Sequence, residues 1–208
     1  MEKQSVKPAD GKLGIMVVGL GAVTSTFMTG VLMARKGLTK PVGSMTQYDK
    51  IRVGKGDDKK YLAYSDIVPL AKLDDIEFGA WDVYPADAYR AAVYAEVLKE
   101  KDIEPVKDEL QKIVPFKAAF DKNFAKRLDG DNVKDCKTRW DMVEQIREDI
   151  RNFKKEHGCS RIVVAWAAST EIYVPVYEPV HGTLAALEKA MKDNDTEHIA
   201  PCHDGRLY

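Results

Sequence analysis

The segment Val17-Val18-Gly19-Leu20-Gly21-Ala22-Val23-Thr24-Ser25 closes a run that is apolar from Leu13 to Leu20 apart from Gly14 and Gly19. An apolar run that ends in two glycines one residue apart and continues into a helical pattern demands strand, sharp turn and helix in that order. In a parallel sheet such a turn suits a dinucleotide. Gly19 makes the turn, Gly21 lets backbone N–H groups approach a diphosphate, and the helix amino end, opening at Ala22 and Val23, faces the negative charge. Thr24 stands where the common spacing has its third glycine, so helix and strand must pack closely by other means. A glycine-rich turn that holds no ligand satisfies the same pattern, and the motif alone leaves both readings open.

Downstream the chain alternates strand and helix signals. The first helix has Ala22, Val23, Phe27, Val31 and Ala34 available for its inner face before Gly37. A loop is expected around Pro41 and Gly43, a polar surface segment from Gly54 to Lys60, and a short helix from Ile67 to Leu73. Ile76 and Phe78 lead a strand into Gly79-Ala80-Trp81-Asp82-Val83. Pro85, harmless in a first turn, then starts a helix from about Ala86 to Lys99 with Tyr89, Val93 and Val97 as its stripe. Ile113 to Phe116, interrupted by Pro115, reads as an edge strand or an extended passage, and Asn123 to Asp131 as surface structure.

Trp140, Val143, Ile146, Ile150 and Phe153 recur at helical spacing between Thr138 and Lys155, followed by His157-Gly158 and the apolar strand Arg161 to Trp166. This helix, glycine stop and strand form the repeat unit of an α/β, Rossmann-like, doubly wound parallel sheet, expected here in incomplete form. Ala167-Ala168-Ser169-Thr170-Glu171 lies just past the strand's carboxyl end, where open sheets place ligands. Ala168 permits close approach, and Ser169 and Thr170 offer hydroxyls; a Ser/Thr turn capping the next segment accounts for them equally well. Pro175, Pro179 and Gly182 mark a turning connection before a short helix from Thr183 to Met191.

At 208 residues, 45% hydrophobic and 31% charged, the chain can bury a substantial core. Its net charge of -1 gives no bulk attraction for nucleic acid or an anionic membrane. Cys136, Cys159 and Cys202 are odd in number and widely spaced, which suits a reducing, cytoplasmic setting. The polar amino terminus lacks the apolar core of a signal peptide, and no run reaches membrane-spanning length. His198, Cys202, His203 and Asp204 have no second cluster to complete a metal site, so no metal is expected.

In combination, several blocks resemble the amino-terminal part of the myo-inositol-1-phosphate (inositol-3-phosphate) synthase family. They are Val18-Gly19-Leu20-Gly21 with Ser25-Thr26, Gly79 to Val83 with Ala88-Tyr89, Ile146 to Ile150 with Phe153-Lys154, and above all Val163 to Glu171. They occur in family order between Leu13 and about Pro201. Ala22, Val23, Thr24 and Ser25 depart from the family's glycine- and asparagine-rich turn, and Ser169 stands at an asparagine position. The resemblance implies an NAD-binding domain over residues 13–201, between a polar arm (1–12) and a divergent tail (202–208). NAD would contact Gly19, Gly21, Ala22, Val23, Ala168, Ser169 and Thr170.

Spacing from the turn leaves Asp49 and Asp82 as rival ribose-binding acids; the resemblance favours Asp82. It further implies cyclisation of glucose 6-phosphate to inositol phosphate with NAD used twice, in a homo-oligomer, by family resemblance a tetramer. The family's catalytic lysines match no position here, so no catalytic residue is assigned. The chain reads as stopping before that region, as a fragment or frame-disrupted product. A noncatalytic NAD-binding fragment and another Rossmann oxidoreductase remain the alternatives.

Overall fold

The computed structural model describes residues 10–168 and 172–199. Strand β1 (Lys12–Val18) lies at the centre of a sheet, with β4 (Ile76–Asp82) on one side and β6 (Cys159–Trp166) on the other, both parallel to it. A two-residue β5 (Phe116–Lys117) extends the sheet beyond β4, giving the order β5-β4-β1-β6. The chain therefore moves outward from β1 through β4 to β5, then crosses back to β6. That reversal beside β1 is a topological switch point, the place where an open parallel sheet forms a crevice at its carboxyl edge. β1 begins at Lys12, inside the expected polar arm.

Alternation along the strands feeds two cores. Val17 in β1 and Ile76, Phe78 and Ala80 in β4 face α1 (Ala22–Arg35), joined by Met28, Leu32, Ala88 and Ala92. Between β1 and β4 the chain forms α2 (Met45–Tyr48) and an antiparallel hairpin of β2 (Lys50–Val53) and β3 (Lys60–Ala63). After β4 come α3 (Ala88–Ala95), α4 (Glu100–Ile103) and α5 (Lys107–Gln111), on the same side as α1. On the other side Met16, Val18 and Trp81 pack against Val143, Ile146 and Phe153 of α6 (Arg139–Glu156). The connection to the last helices, α7 (Glu178–His181) and α8 (Leu184–Lys192), follows β6.

The expected α6 and β6 are present, with Thr138 capping α6 in a reciprocal arrangement with Asp141. Four expectations need correction. The inner face of α1 is Thr24, Ser25, Met28, Thr29 and Leu32, while Val23 and Phe27 are exposed. The helix is rotated so that small hydroxyl residues sit nearest the turn, where Thr24 can bond back to it. The helix from Ile67 to Leu73 does not form, because Pro69 interrupts it; 3₁₀ turns at Tyr64–Asp66 and Leu73–Asp75 stand on either side.

The third correction is α3. It starts two residues late, capped by Asp87, ends where Glu96 adopts φ 53°, and buries Ala88 and Ala92 rather than Val93 and Val97. Alanines let α1 and α3 approach closely, an advantage the larger valines lack. The fourth lies at Asn123 to Asp131, expected at the surface, where Phe124 and Ala125 are buried and Arg139 stacks over the Phe124 ring. The loop expected around Pro41 and Gly43 is present, and α2 and the start of the hairpin follow it.

Candidate functional site

The glycine turn sits at the switch point, and the N–H groups of Gly19 and Leu20 are both engaged. Gly19 has φ 94°, and a Cβ there would stand 2.8 Å from Ala168 Cα, so a side chain is excluded both by conformation and by the neighbouring backbone. Its N–H donates to Trp81 O at 2.8 Å, and Ala167 N–H donates to Val18 O at 2.9 Å. The turn is thus clamped between the ends of β4 and β6. Thr24 resolves the missing third glycine: it is buried, and its hydroxyl donates to Gly19 O at 2.5 Å. That bond draws α1 onto the turn and satisfies the hydroxyl, so burying it is not costly.

Gly21 differs from Gly19. It precedes α1 with ordinary extended backbone, and a Cβ on it would meet nothing within 4 Å. With no side chain to cap the helix, the first-turn N–H groups of α1 face open space, the arrangement that favours an anion. Asp82, at the end of β4, accepts Leu20 N–H on Oδ2 at 2.5 Å and Tyr84 N–H on Oδ1 at 2.9 Å. The carboxylate therefore fastens the glycine turn to the β4 loop. Each oxygen keeps lone-pair capacity for a further donor.

Around these groups opens a cleft of about 1060 Å³, at the upper end of ligand-site volumes. Gly19, Gly21, Ala22, Asp82 and Ala168 line it together. Val23 lies outside the lining, exposed on the first turn of α1. Ser169 and Thr170 fall outside the described residues, as do Cys202, His203 and Asp204. Asp49, the rival acid, ends α2 ahead of the hairpin, accepts Lys50 N–H and takes no part in the cleft. His198 pairs with Asp195 and stacks on Tyr177.

The structure adds residues the sequence reading missed. Tyr84, Arg90 and Tyr94 wall the cleft from the loop after β4 and from α3, and Trp166 lines it from β6. Arg90 and Tyr94 are four apart on one helix face, a spacing visible in the sequence but overshadowed by the apolar stripe beside it. Behind the cleft, Trp81 Nε1 donates to Asp149 Oδ2 at 2.7 Å, and Lys134 Nζ reaches the same oxygen at 2.8 Å. Asn132 Nδ2 donates to Asp82 O at 2.8 Å. These bonds hold the Trp81-Asp82 corner in place.

An NAD-binding family model described as "Myo-inositol-1-phosphate synthase" matches residues 13–203. An inositol-3-phosphate synthase of Bacteroides thetaiotaomicron is 57% identical over 96% of the chain and 46% of the relative, and that of Saccharomyces cerevisiae is 29% identical over 91% and 40%. A solved inositol-3-phosphate synthase of Caenorhabditis elegans superposes with a TM-score of 0.82 at 27% identity, covering 94% of this chain and 41% of that one. The chain thus spans less than half the length of these relatives. The clamped glycine turn at the switch point and the match along nearly the whole chain lead to one conclusion: its cofactor is NAD, and the chain belongs to the myo-inositol-1-phosphate synthase family.

Proposed function

We propose that this chain carries the NAD-binding part of an inositol-3-phosphate synthase, which cyclises glucose 6-phosphate to 1D-myo-inositol 3-phosphate for inositol and phospholipid biosynthesis. The observation that carries the proposal is the cleft at the switch point, where Gly21 leaves the amino end of α1 open and Asp82 stands at the rim. When bound, NAD supplies hydride acceptance and return. The chain's own residues bind and orient it. Backbone N–H groups at Gly21, Ala22 and Val23 hold the diphosphate, and Asp82 accepts a ribose hydroxyl with the lone pairs left over from Leu20 and Tyr84. Ala168 approaches from the β6 side, and the family resemblance assigns Ser169 and Thr170 to the cofactor as well. Proton transfer and aldol closure belong, by the family resemblance, to lysines that no position here matches, so the residues of this chain are assigned cofactor binding and no catalytic role. We place the working enzyme in the cytoplasm as a homo-oligomer, in keeping with the free thiols of Cys136 and Cys159 and the family's assembly.

Calorimetric titration of the folded chain with NAD tests this reading. Asp82→Ala removes a charged acceptor worth about 1.5–3 kcal/mol and should weaken binding accordingly, while Asp49→Ala should bind like the parent. Gly21→Val has room to fold and should lose affinity by filling the diphosphate's space. Unchanged binding in Asp82→Ala together with lost binding in Asp49→Ala would overturn the assignment of the acid. Incubation with glucose 6-phosphate and NAD tests the division of labour: robust inositol phosphate formation by this chain alone would refute it. Stoichiometric NADH without cyclised product would favour a different Rossmann oxidoreductase.

A further inference from the structure

We propose that Arg90 is a cofactor-binding residue of this cleft, its guanidinium pairing with the phosphate on the adenosine half of NAD, with Tyr94 one turn along beside it. The inference rests on the reading of the cleft as an NAD site and adds a side chain to it. Among the described residues lining the cleft, Arg90 is the only cation and Asp82 the only anion. Asp82 is occupied by Leu20 and Tyr84 N–H groups. Arg90 is not comparably engaged: its Nε lies 3.8 Å from Asp87 Oδ2, beyond hydrogen-bond reach, and its side chain is 77% exposed. Asp87 is itself used as the cap of α3, where Oδ1 accepts Arg90 N–H at 2.9 Å. Arg90 therefore lines the cleft with an exposed guanidinium while its backbone N–H is held by the helix cap.

Location selects the half of the cofactor. Asp82 ends β4 and Arg90 lies on α3, the helix that follows it, on the far side of β1 from β6. In dinucleotide folds the acid at the end of this strand meets the adenosine ribose, which puts the adenosine half of NAD on this side of the cleft and leaves the phosphate on its 5′ carbon as the anion for the one cation among the described lining residues. A guanidinium suits phosphate because its planar donors match two oxygens at once.

The test is calorimetric titration of the full chain with NAD, AMP and adenosine at low and high salt. Arg90→Gln should weaken NAD and AMP about fivefold at low salt, the loss expected of a solvent-accessible phosphate pair. It should flatten the salt dependence and leave adenosine binding unchanged. Arg90→Lys should retain the salt dependence, because the charge remains. The α3 cap uses the backbone of residue 90, so thermal unfolding of both variants should match the parent. AMP binding in Arg90→Gln as tight as in the parent, or an equal loss for adenosine and AMP, overturns the proposal. A parent that binds neither NAD nor AMP overturns the cofactor reading itself, and this inference with it.

Discussion

β4 and β6 flank the same central strand, run parallel to it and are both apolar, yet they are buried to very different degrees. Ile76, Phe78, Ala80 and Trp81 of β4 are buried, Trp81 to 1% exposure. In β6, Val163, Val164 and Trp166 remain 50%, 39% and 40% exposed. The difference lies in what surrounds each strand. β4 has β1 on one side and β5 on the other, with α1 and α3 over one face and α6 over the other. β6 pairs only with β1 among the described strands, and its faces are only partly covered by the described helices. An apolar run in a parallel strand reports a need for cover on both faces. It does not say where in the chain the cover lies.

The sharpest way to test the comparison is to truncate the two tryptophans. Trp81→Ala should cost about 3–5 kcal/mol, since it empties a packed site and leaves Asp149 without its indole donor. Trp166→Ala, on the partly open strand, should cost clearly less, because part of its ring is already in contact with solvent. Denaturant unfolding of both variants measures the gap; equal losses would mean that β6 is as well packed as β4. Gly19→Ala probes the clamp between the two strands. A left-handed backbone costs ~1–2 kcal/mol and overpacking against Ala168 ~1–3 kcal/mol, so a loss of about 2–5 kcal/mol is expected in the same measurement. A variant as stable as the parent would show that the clamp yields easily.

The smallest effect concerns the opposite end of the sheet. Glu77 of β4 pairs with Lys12 of β1 at 2.6 Å and with His157 after α6 at 3.3 Å. Burial pushes the Glu77 carboxyl up, but Lys12 and His157 outweigh it and hold the group below its ordinary value. A carboxylate depressed by folding stabilises the protein above its unfolded value, and that contribution disappears as pH falls through the folded one. The parent should therefore be modestly more stable than Glu77→Gln at neutral pH. The two should converge in acid below the ordinary carboxylate range. A stability difference that does not change with pH would remove Glu77 from the account.

Much of this arrangement was legible in the sequence wherever the signal was local. The turn at Gly19, the α6 periodicity after Thr138, and the β6 run each need only neighbouring residues to specify a conformation. Helix faces were less legible. Val23 and Phe27 looked like core and are exposed, whereas Thr24 and Ser25 looked polar and are buried. Hydrophobicity ranks a hydroxyl below a valine, but a Thr24 hydroxyl bonded to Gly19 O fits a tight approach that a larger apolar side chain would obstruct. Val93 and Val97 yielded to Ala88 and Ala92 for a similar reason of size.

The sequence alone determined that a strand, a glycine turn and a helix open the chain, that further apolar strands and helices alternate after them, and that the combination resembles one family. Local periodicity, caps and backbone sterics act over a few residues, so they can be read without coordinates. Only the tertiary structure brought Asp82, and not Asp49, to the cleft, because that depends on which carboxylate meets Leu20 N–H across 62 positions of chain. It also brought Arg90 and Tyr94 to the wall of the cleft. Contacts of that kind depend on strand order and helix rotation, which arise from packing the whole sheet at once.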